Sequence, residues 1–405
     1  MKKTIWYINK YFAPKTHSTP GGRDWNLLKE VHNLGYRVVV LASDSNSVWE
    51  TELLDKSVVR EEREGLDIVW LRTMKYGVAK SFKRILSWFH FEWNIFFLNK
   101  KNLPAPDVVV VSSLSLLTVL NGIYLKRRYG CKFVFEVRDI WPLTIIEENG
   151  FSKYNPFVFI LSFIEKIGYE KADSIIGTMP NLKEHVESVS STKTPVYCIP
   201  MGIPENSLVE RQEDDDIFPG ELFPENKLKI IYSGTIGITN ALDVFFRAAE
   251  MLVDNDDILF FVLGDGPLKN EFQKKYSRLK NVIFLPRVSR CQVQSVLMRC
   301  DIVYFSTFPS KVWNYGQSLN KLIDYMLAGK PVLASYSGYP SMINEAEGGF
   351  FVPAGDGIAL ADKILELSKR EREDLRKIGE NGKKWLIDNR RYSKLARDFV
   401  AIMTI

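Results

Sequence analysis

The chain has 405 residues, of which 46% are hydrophobic and 25% charged, an ordinary composition for a soluble globular protein. This length exceeds what one hydrophobic core supports, so two domains are expected. The four cysteines and four histidines lie apart from one another, which disfavours a zinc site or a disulfide framework. No apolar run reaches the ~18 residues of a transmembrane helix. We therefore expect a cytoplasmic protein with no resident metal or cofactor.

Positive charge is concentrated in the first half of the chain. Residues 1–204 carry 27 Lys and Arg against 21 Asp and Glu, an excess of six, whereas residues 205–405 carry 27 against 28. This asymmetry suits a polyanionic partner or an anionic membrane surface, although an ordinary solvated surface would also account for it. We predict no nucleic-acid partner.

Short apolar runs alternate with helical patterns from the first residues onward, which is typical of a parallel, doubly wound α/β sheet. A strand over 4–12 and a helix over 24–34, ended by Gly35, precede a second strand over 38–42. Further strands are predicted at 67–71, 107–111, 132–136, 174–177 and 196–199, with helices at 115–129, 157–171 and 182–189.

An acidic stretch rich in proline, residues 207–227, separates this series from a second one. The second series has predicted strands at 228–233, 259–263, 282–285, 302–306 and 332–334. The prediction is two Rossmann-like domains, 1–204 and 205–385, facing each other across a cleft, with a C-terminal helix over 386–405 returning to the first domain.

Ligands of such sheets bind outside the carboxyl ends of the strands, so the loops there hold the candidate site residues. Gly21 and Gly22 open the first helix, and Gly234 and Thr235 follow the first strand of the second domain. Glycines let the backbone approach a ligand, and helix-start amides favour an anion.

Two more loops of the second domain carry candidate residues. Gly264 and Gly266 follow a buried strand, with Pro267 predicted at the first position of the next helix. Because Lys269 stands where the third glycine of a dinucleotide fingerprint would be, a redox cofactor is disfavoured. After the strand over 282–285, the Arg287 guanidinium could stack on a base or face a phosphate.

The segment NKLIDYMLAGKPVLAS places Lys321 and Asp324 one helical turn apart, before a small-residue turn and a strand. Such an element can hold the phosphates and the ribose of a nucleotide, although an i,i+3 pair on a helix is often only a solvated pair. With Arg287, Arg23 and the amides of residues 234–237 as the other candidates, we predict Lys321 as the principal cation for a diphosphate.

Residues 80–101, KSFKRILSWFHFEWNIFFLNKK, combine seven Phe and Trp side chains with cations at both ends. The segment is too short and too polar to span a bilayer. Two interpretations remain open, a segment lying in a membrane interface and a buried helix of the domain.

Several motifs together resemble the family 4 glycosyltransferases over nearly the whole chain: Gly21-Gly22, YSGTIG, GDGPL, NVIFLPRV, CDIVYFS, and the run from LNKLIDYMLAGKPVLAS to FFVPAGD. EVRDIWP at residues 136–142 is similar to the bacterial O-antigen and capsule branch of L-fucosamine transferases. The resemblance implies a GT-B fold and a retaining, metal-independent transfer. The donor would be a nucleotide-diphosphate sugar, with UDP favoured, and the acceptor a polyprenyl-linked sugar at the inner membrane surface.

The resemblance also assigns roles to individual residues. Asp324 would accept hydrogen bonds from the ribose, Val288 would lie beside the base, and Glu345 would meet the donor sugar. The first acid of the family pair falls on Gly316, and the family's basic pair falls on Thr235 and Asn240, neither of which is charged.

The catalytic candidates follow the predicted strand over 132–136. Asp139 would orient the acceptor hydroxyl, Arg138 stands where relatives carry a histidine, and Glu136 would point into the cleft. An Arg-Asp neighbour pair is also a common structural ion pair.

Two other functions stay open at this point. A nucleotide-sugar epimerase would turn over UDP-sugar without an acceptor. A non-catalytic partner of a transferase would bind the donor without turnover, in keeping with the uncharged positions Thr235, Asn240 and Gly316.

Overall fold

The computed structural model describes residues 2–16, 21–46, 54–76, 82–208 and 217–404. The chain divides into two compact units, residues 1–204 with 392–405, and residues 205–391. The middle of the predicted linker, residues 209–216, lies outside the described residues, as does Lys80.

The first unit has the following elements in chain order: β1 (Thr4–Ile8), α1 (Arg23–Asn33), β2 (Arg37–Ser43), β3 (Val58–Arg63), β4 (Leu66–Leu71), α2 (Phe82–Phe97), β5 (Val108–Ser112), α3 (Thr118–Tyr129), β6 (Lys132–Val137), α4 (Leu143–Asn149), α5 (Pro156–Lys171), β7 (Ser174–Gly177), α6 (Leu182–Val189) and β8 (Val196–Cys198). Their strands form one sheet in the order β3-β4-β2-β1-β5-β6-β7-β8. All neighbouring strands pair in parallel except β3 with β4. Parallel sheets are covered on both faces, which explains why the central strands are continuous valine-rich runs, such as Val108–Ser112, and are fully buried.

The second unit has the following elements: β9 (Leu228–Ser233), α7 (Asp243–Met251), β10 (Ile258–Leu263), α8 (Lys269–Lys275), β11 (Val282–Leu285), α9 (Arg290–Met298), β12 (Ile302–Ser306), α10 (Asn320–Leu327), β13 (Val332–Ser335), α11 (Met342–Glu345), β14 (Gly349–Val352), α12 (Gly357–Ser368) and α13 (Arg372–Asn389). The strand order is β11-β10-β9-β12-β13-β14, all parallel. The order reverses between β9 and β12, so the loops after these two strands flank the switch point where such sheets bind ligands. The predicted α/β fold with two Rossmann-like domains is confirmed.

The last helix, α14 (Tyr392–Thr404), belongs to the first unit. Its apolar side chains, among them Tyr392, Leu395 and Phe399, join the core that contains Trp25 and Leu28 of α1. The predicted starting point of this returning helix, residue 386, lies inside α13, which continues to Asn389.

The elements that were not predicted include β3, β14 and α4, and each of these three has a physical reason. β3 is a charged edge strand of sequence VVREER, paired antiparallel to β4 through a tight turn in which Glu64 and Gly65 have φ of 47° and 83°. β14 and α4 are short, and their residues carry no clear period. Pro267 does not start a helix, because α8 begins only at Lys269.

Helix α2 has two different faces. Trp88, Phe91 and Ile95 are buried against the first unit, whereas Phe89, Trp93 and Phe97 are exposed. No helix of the described ranges is both long enough and apolar enough to cross a bilayer.

Candidate active site

Two loops of the second unit are joined by hydrogen bonds along their backbones. The Gly234 amide donates to the Leu263 carbonyl at 3.0 Å, and the Ile236 amide donates to the Asp265 carbonyl at 2.8 Å. Of the amides of residues 234–237, which were candidates for binding a diphosphate, those of Gly234 and Ile236 are therefore already used within the protein. Thr235 and Gly237 keep amides that an anion could use.

The same packing explains why Gly264 and Gly266 are glycines. A Cβ at Gly264 would lie 2.0 Å from the Gly234 oxygen, and one at Gly266 would lie 2.3 Å from the Ile236 oxygen. Both residues also have positive φ, 140° and 157°. Here the glycines permit close approach of one loop to another, and not the close approach of a ligand predicted from the sequence.

Lys321 of α10 reaches these loops. Its Nζ donates to the Tyr232 hydroxyl at 3.2 Å and to Asn240 Oδ1, and it lies 4.7 Å from the centroid of the Tyr232 ring. A Cβ built on Gly234 would be 3.6 Å from Nζ. Burial lowers the pKa of Lys321 to about 8. Among the residues that the structure describes, no carboxylate pairs with Lys321, so this cation beside a glycine loop is well placed to receive an anion.

Asn240 and Thr235, the uncharged positions noted above, hold this arrangement together. The Asn240 side chain donates to the Thr235 carbonyl at 2.9 Å while its Oδ1 accepts from Lys321. The Tyr232 hydroxyl donates to the same Thr235 carbonyl at 2.7 Å. These residues therefore fix the direction of the lysine.

Asp324 lies one turn beyond Lys321 on α10, with 29% of its side chain exposed. Burial raises the pKa of Asp324, while Arg290 opposes that rise from a distance of 3.7 Å. The neighbouring Tyr325 hydroxyl donates to the Ser233 carbonyl and accepts from the Ser233 amide, which anchors α10 to the end of β9. The predicted residues Gly234, Thr235, Lys321 and Asp324 are thus brought to one edge of the sheet.

Other predicted donor residues lie at the same unit's surface. Arg287 is exposed and Val288 half-buried after β11. Glu345 ends the short helix α11 and is exposed. Gly21 and Gly22 belong to the first unit, where Gly22 caps α1 and donates its amide to the Ala13 carbonyl at 2.8 Å.

Glu136 and Arg23 form a buried ion pair in the first unit. Both side chains are 0% exposed, and Arg23 Nη1 lies 2.8 Å from Glu136 Oε1. The Tyr7 hydroxyl donates to the other carboxylate oxygen, and Arg23 Nη2 donates to the Ile199 carbonyl at 2.7 Å. Glu136 has no surface left for a substrate, so its assignment as a catalytic residue is corrected to a structural one. The same burial removes Arg23 from the phosphate candidates.

Arg138 extends this network toward solvent. Its Nη1 lies 2.8 and 2.9 Å from the two carboxylate oxygens of Asp24, and 18% of its side chain is exposed. The structural ion pair foreseen for Arg138 is therefore made with Asp24, on α1, and not with its chain neighbour. Removing one partner of such a buried pair leaves an uncompensated charge.

Asp139, like Arg138, is a catalytic candidate that remains partly exposed. Burial raises the pKa of its carboxyl, and Arg138 and Arg84 counteract the rise. The Ser113 hydroxyl accepts from the amides of Arg138 and Asp139 at 2.9 and 3.3 Å, which fixes the loop after β6. A carboxylate with a raised pKa on a fixed loop suits proton transfer or orientation of a hydroxyl.

Sequence reasoning missed Tyr232 and Arg290. In the sequence, Tyr232 looks like any other residue of a buried apolar strand. Only the contacts of its hydroxyl with Lys321 and Thr235 show that it helps to orient the lysine. Arg290 is far from Asp324 in the chain, and its cationic charge alone gave no signal.

Comparisons with known proteins show a similar sequence family for part of the chain and similar folds for the whole of it. Residues 213–385 match the family model described as glycosyl transferases group 1. No curated protein matches the sequence.

Solved structures resemble the chain over its whole length. Sucrose-phosphate synthase from Thermosynechococcus elongatus is 14% identical, with a TM-score of 0.71 over 99% of this chain and 98% of that one. An E. coli trehalose-6-phosphate protein bound with UDP-2-fluoro glucose is 12% identical, with a TM-score of 0.74 over 99% of each chain. HepE from Anabaena, in complex with UDP and glucose, is 13% identical, with a TM-score of 0.65 over 99% of each chain.

The fold is therefore that of the GT-B glycosyltransferases. The match to the glycosyl transferases group 1 model lies in the second unit, and the matched residues include Lys321 and Asp324.

Proposed function

We propose that the protein is a retaining glycosyltransferase that takes a sugar from a UDP-linked donor. The proposal depends on the position of Lys321, whose ammonium group is held beside Gly234 by Asn240 and Tyr232. Lys321 lies within the residues that match the glycosyl transferases group 1 model. The UDP ligands named for the E. coli and Anabaena structures support the choice of nucleotide.

In this proposal Lys321 and the amides of Thr235 and Gly237 bind the diphosphate, and Asp324 accepts hydrogen bonds from the ribose. The leaving group is a nucleotide diphosphate, so stabilising its charge is the main task of the protein. The departing phosphate oxygen takes the acceptor proton on the same face of the sugar. The chemistry requires no metal, and Asp139 orients the acceptor hydroxyl.

The proposed acceptor is a polyprenyl-diphosphate-linked oligosaccharide of O-antigen or capsule synthesis. The exposed aromatic side chains of α2 support a location at the inner membrane surface, where such a lipid is presented. The donor sugar proposed first is N-acetyl-L-fucosamine, because residues 136–142 resemble that branch of the family.

Thermal unfolding with UDP, GDP, CMP and dTDP tests the nucleotide. A ligand at 100 times its Kd adds about 2.7 kcal/mol to the free energy of unfolding. Among the four nucleotides, we expect only UDP to stabilise the protein in this way. Incubation with UDP-sugars and a lipid-linked acceptor, followed by NMR of the new linkage, tests transfer and retention. Epimerisation of the donor without acceptor, or nucleotide binding with no product from any acceptor, would contradict the proposal.

A further inference from the structure

Exposed apolar side chains are concentrated on three helices of the first unit. Trp93 on α2 is 64% exposed, and Phe159 and Phe163 on α5 are 73% and 60% exposed. We define the outer face by its large exposed residues, which are Phe89, Trp93, Phe96, Phe97, Leu120, Phe159, Ile160 and Phe163. A soluble protein that keeps so many aromatic rings in water usually binds something there.

The three helices are neighbours, so the outer face is one surface. Helix α3 contacts both α2 and α5. The Phe96 ring of α2 lies 4.6 Å from the Tyr124 ring of α3, centroid to centroid. In the sheet, β5, β6 and β7 are consecutive, and α3 and α5 connect them, so both helices cover the same side.

The inner sides of these helices are fixed to the domain, so the outer side is not a misplaced core. On α2, the buried Glu92 carboxylate accepts from Thr118 at 2.6 Å and from Asn121 at 2.7 Å, both on α3. On α5, Glu165 is buried and lies 2.7 Å from His185 Nε2. The helices therefore cannot rotate to bury their outer rings without exposing these carboxylates.

The charges of the three helices are almost all positive. They carry seven Lys and Arg: Lys83, Arg84, Lys126, Arg127, Arg128, Lys166 and Lys171. One of these charges, Lys126, is paired with Asp173 just beyond α5 at 2.7 Å. Of their three acids, Glu92 and Glu165 are buried, which leaves Glu170 exposed. Lys100, which the sequence analysis counted among the flanking cations, donates to three backbone carbonyls at the end of α2 and is not available.

We propose that the outer face docks the protein onto an anionic lipid bilayer, with α2 and α5 lying in the interface. Aromatic rings with Lys and Arg around them suit the headgroup region, and the near absence of exposed acids on these helices suits anionic lipid. To bind a single partner helix, the protein would need a groove about as wide as that helix. The outer face extends over three helices instead, which suits contact with the broad surface of a bilayer. The proposal rests on the membrane location given in the proposed function and extends it from α2 to α5.

Flotation of the full chain with vesicles of phosphatidylcholine alone, or with added phosphatidylglycerol, tests this inference. We expect binding to the anionic vesicles that weakens as salt is added. The triple variant Trp93→Ser, Phe159→Ser, Phe163→Ser should lose binding by about tenfold or more, because it removes three rings from the interface. Its thermal unfolding should match the parent chain, since all three side chains are largely exposed.

The matched control is Ile238→Ser with Ile358→Ser, two apolar residues of the second unit that are 64% and 50% exposed. Equal flotation of the outer-face variant and this control would overturn the proposal, as would no flotation of the parent chain at low salt. If the parent chain dimerises through the outer face, sedimentation of the triple variant would shift to monomer with vesicle binding unchanged, and the proposal would again be wrong. UDP binding measured without vesicles is independent of all these outcomes, so a failure here is distinguishable from a failure of the proposed function.

Discussion

Lys321 is the side chain on which donor binding depends most. Within the described ranges it pairs with no carboxylate, and its two hydrogen-bond partners, Asn240 and Tyr232, orient it without neutralising it. A diphosphate beside it would gain a charge-assisted hydrogen bond in a partly desolvated site.

We expect Lys321→Ala to lose about 1.5 to 3 kcal/mol of donor binding, roughly a 10- to 150-fold fall in kcat/KM for the UDP-sugar. Initial rates at low donor concentration measure it. Lys280→Ala is the control, because Lys280 is 59% exposed and pairs with Asp256 on the surface of the same unit. A rate for Lys321→Ala equal to that of the control would rule out the assignment.

UDP binding should depend on pH through the same lysine. The pKa of Lys321 is about 8 in the free protein and must rise when a diphosphate binds, so binding takes up a proton above pH 8. We expect the Kd for UDP to be level with respect to this group below about pH 7, then to rise by up to about tenfold per pH unit above pH 8.

Calorimetry from pH 7 to pH 10 measures this dependence. Lys321→Arg should flatten the curve, because a guanidinium stays charged throughout that range. The same rise of Kd in the Lys321→Arg variant would assign the titration to another group.

The loops after β9 and β10 act as one element, since each holds the other by backbone hydrogen bonds. We expect Gly264→Ala to destabilise the second unit by at least about 2 kcal/mol, because its Cβ would meet the Gly234 oxygen and its φ would be strained. UDP binding should weaken as well, since the displaced Gly234 lies beside Lys321.

Comparison with Gly355→Ala separates the effect of backbone strain at positive φ from the effect of a steric clash with a neighbouring loop. Gly355 has a φ of 83° but open space around it, so its variant should lose about 1 to 2 kcal/mol and keep its UDP affinity. Thermal unfolding and calorimetry of both variants make the comparison. Equal losses in the two variants would show that φ alone matters and that the loops do not need their close approach.

The whole chain consists of two units, and the last helix belongs to the first although it follows the second. Phe399 of α14 is fully buried in the first unit's core. Phe399→Ala should therefore destabilise the first unit by about 3 to 5 kcal/mol, through the cavity it leaves.

Lys321 and Asp324 lie in the other unit, so the Kd for UDP should stay within about twofold at temperatures where the variant is folded. Thermal unfolding with and without UDP measures both effects, with the exposed Phe159→Ala as control. A large loss of UDP affinity in Phe399→Ala would show that the donor site depends on the first unit.

The secondary structure and the local position of the key side chains could be predicted from the amino-acid sequence. Runs such as Val108–Ser112 and Leu228–Ser233 must be buried strands because they are apolar and bounded by turns, and alternation with helices makes the sheets parallel. The same order showed that Lys321 and Asp324 share one helix at a loop edge, because a helical turn brings positions i and i+3 together.

Burial and pairing were decided by contacts between residues far apart in the chain. Glu136 looked like a cleft acid, but Arg23 of α1 neutralises it and Tyr7 of β1 donates a hydrogen bond to its other oxygen. Gly264 looked like a phosphate loop residue, but the backbone of Gly234 occupies the space beside it. Periodicity shows which residues can face inward, whereas only packing shows what fills the space they face.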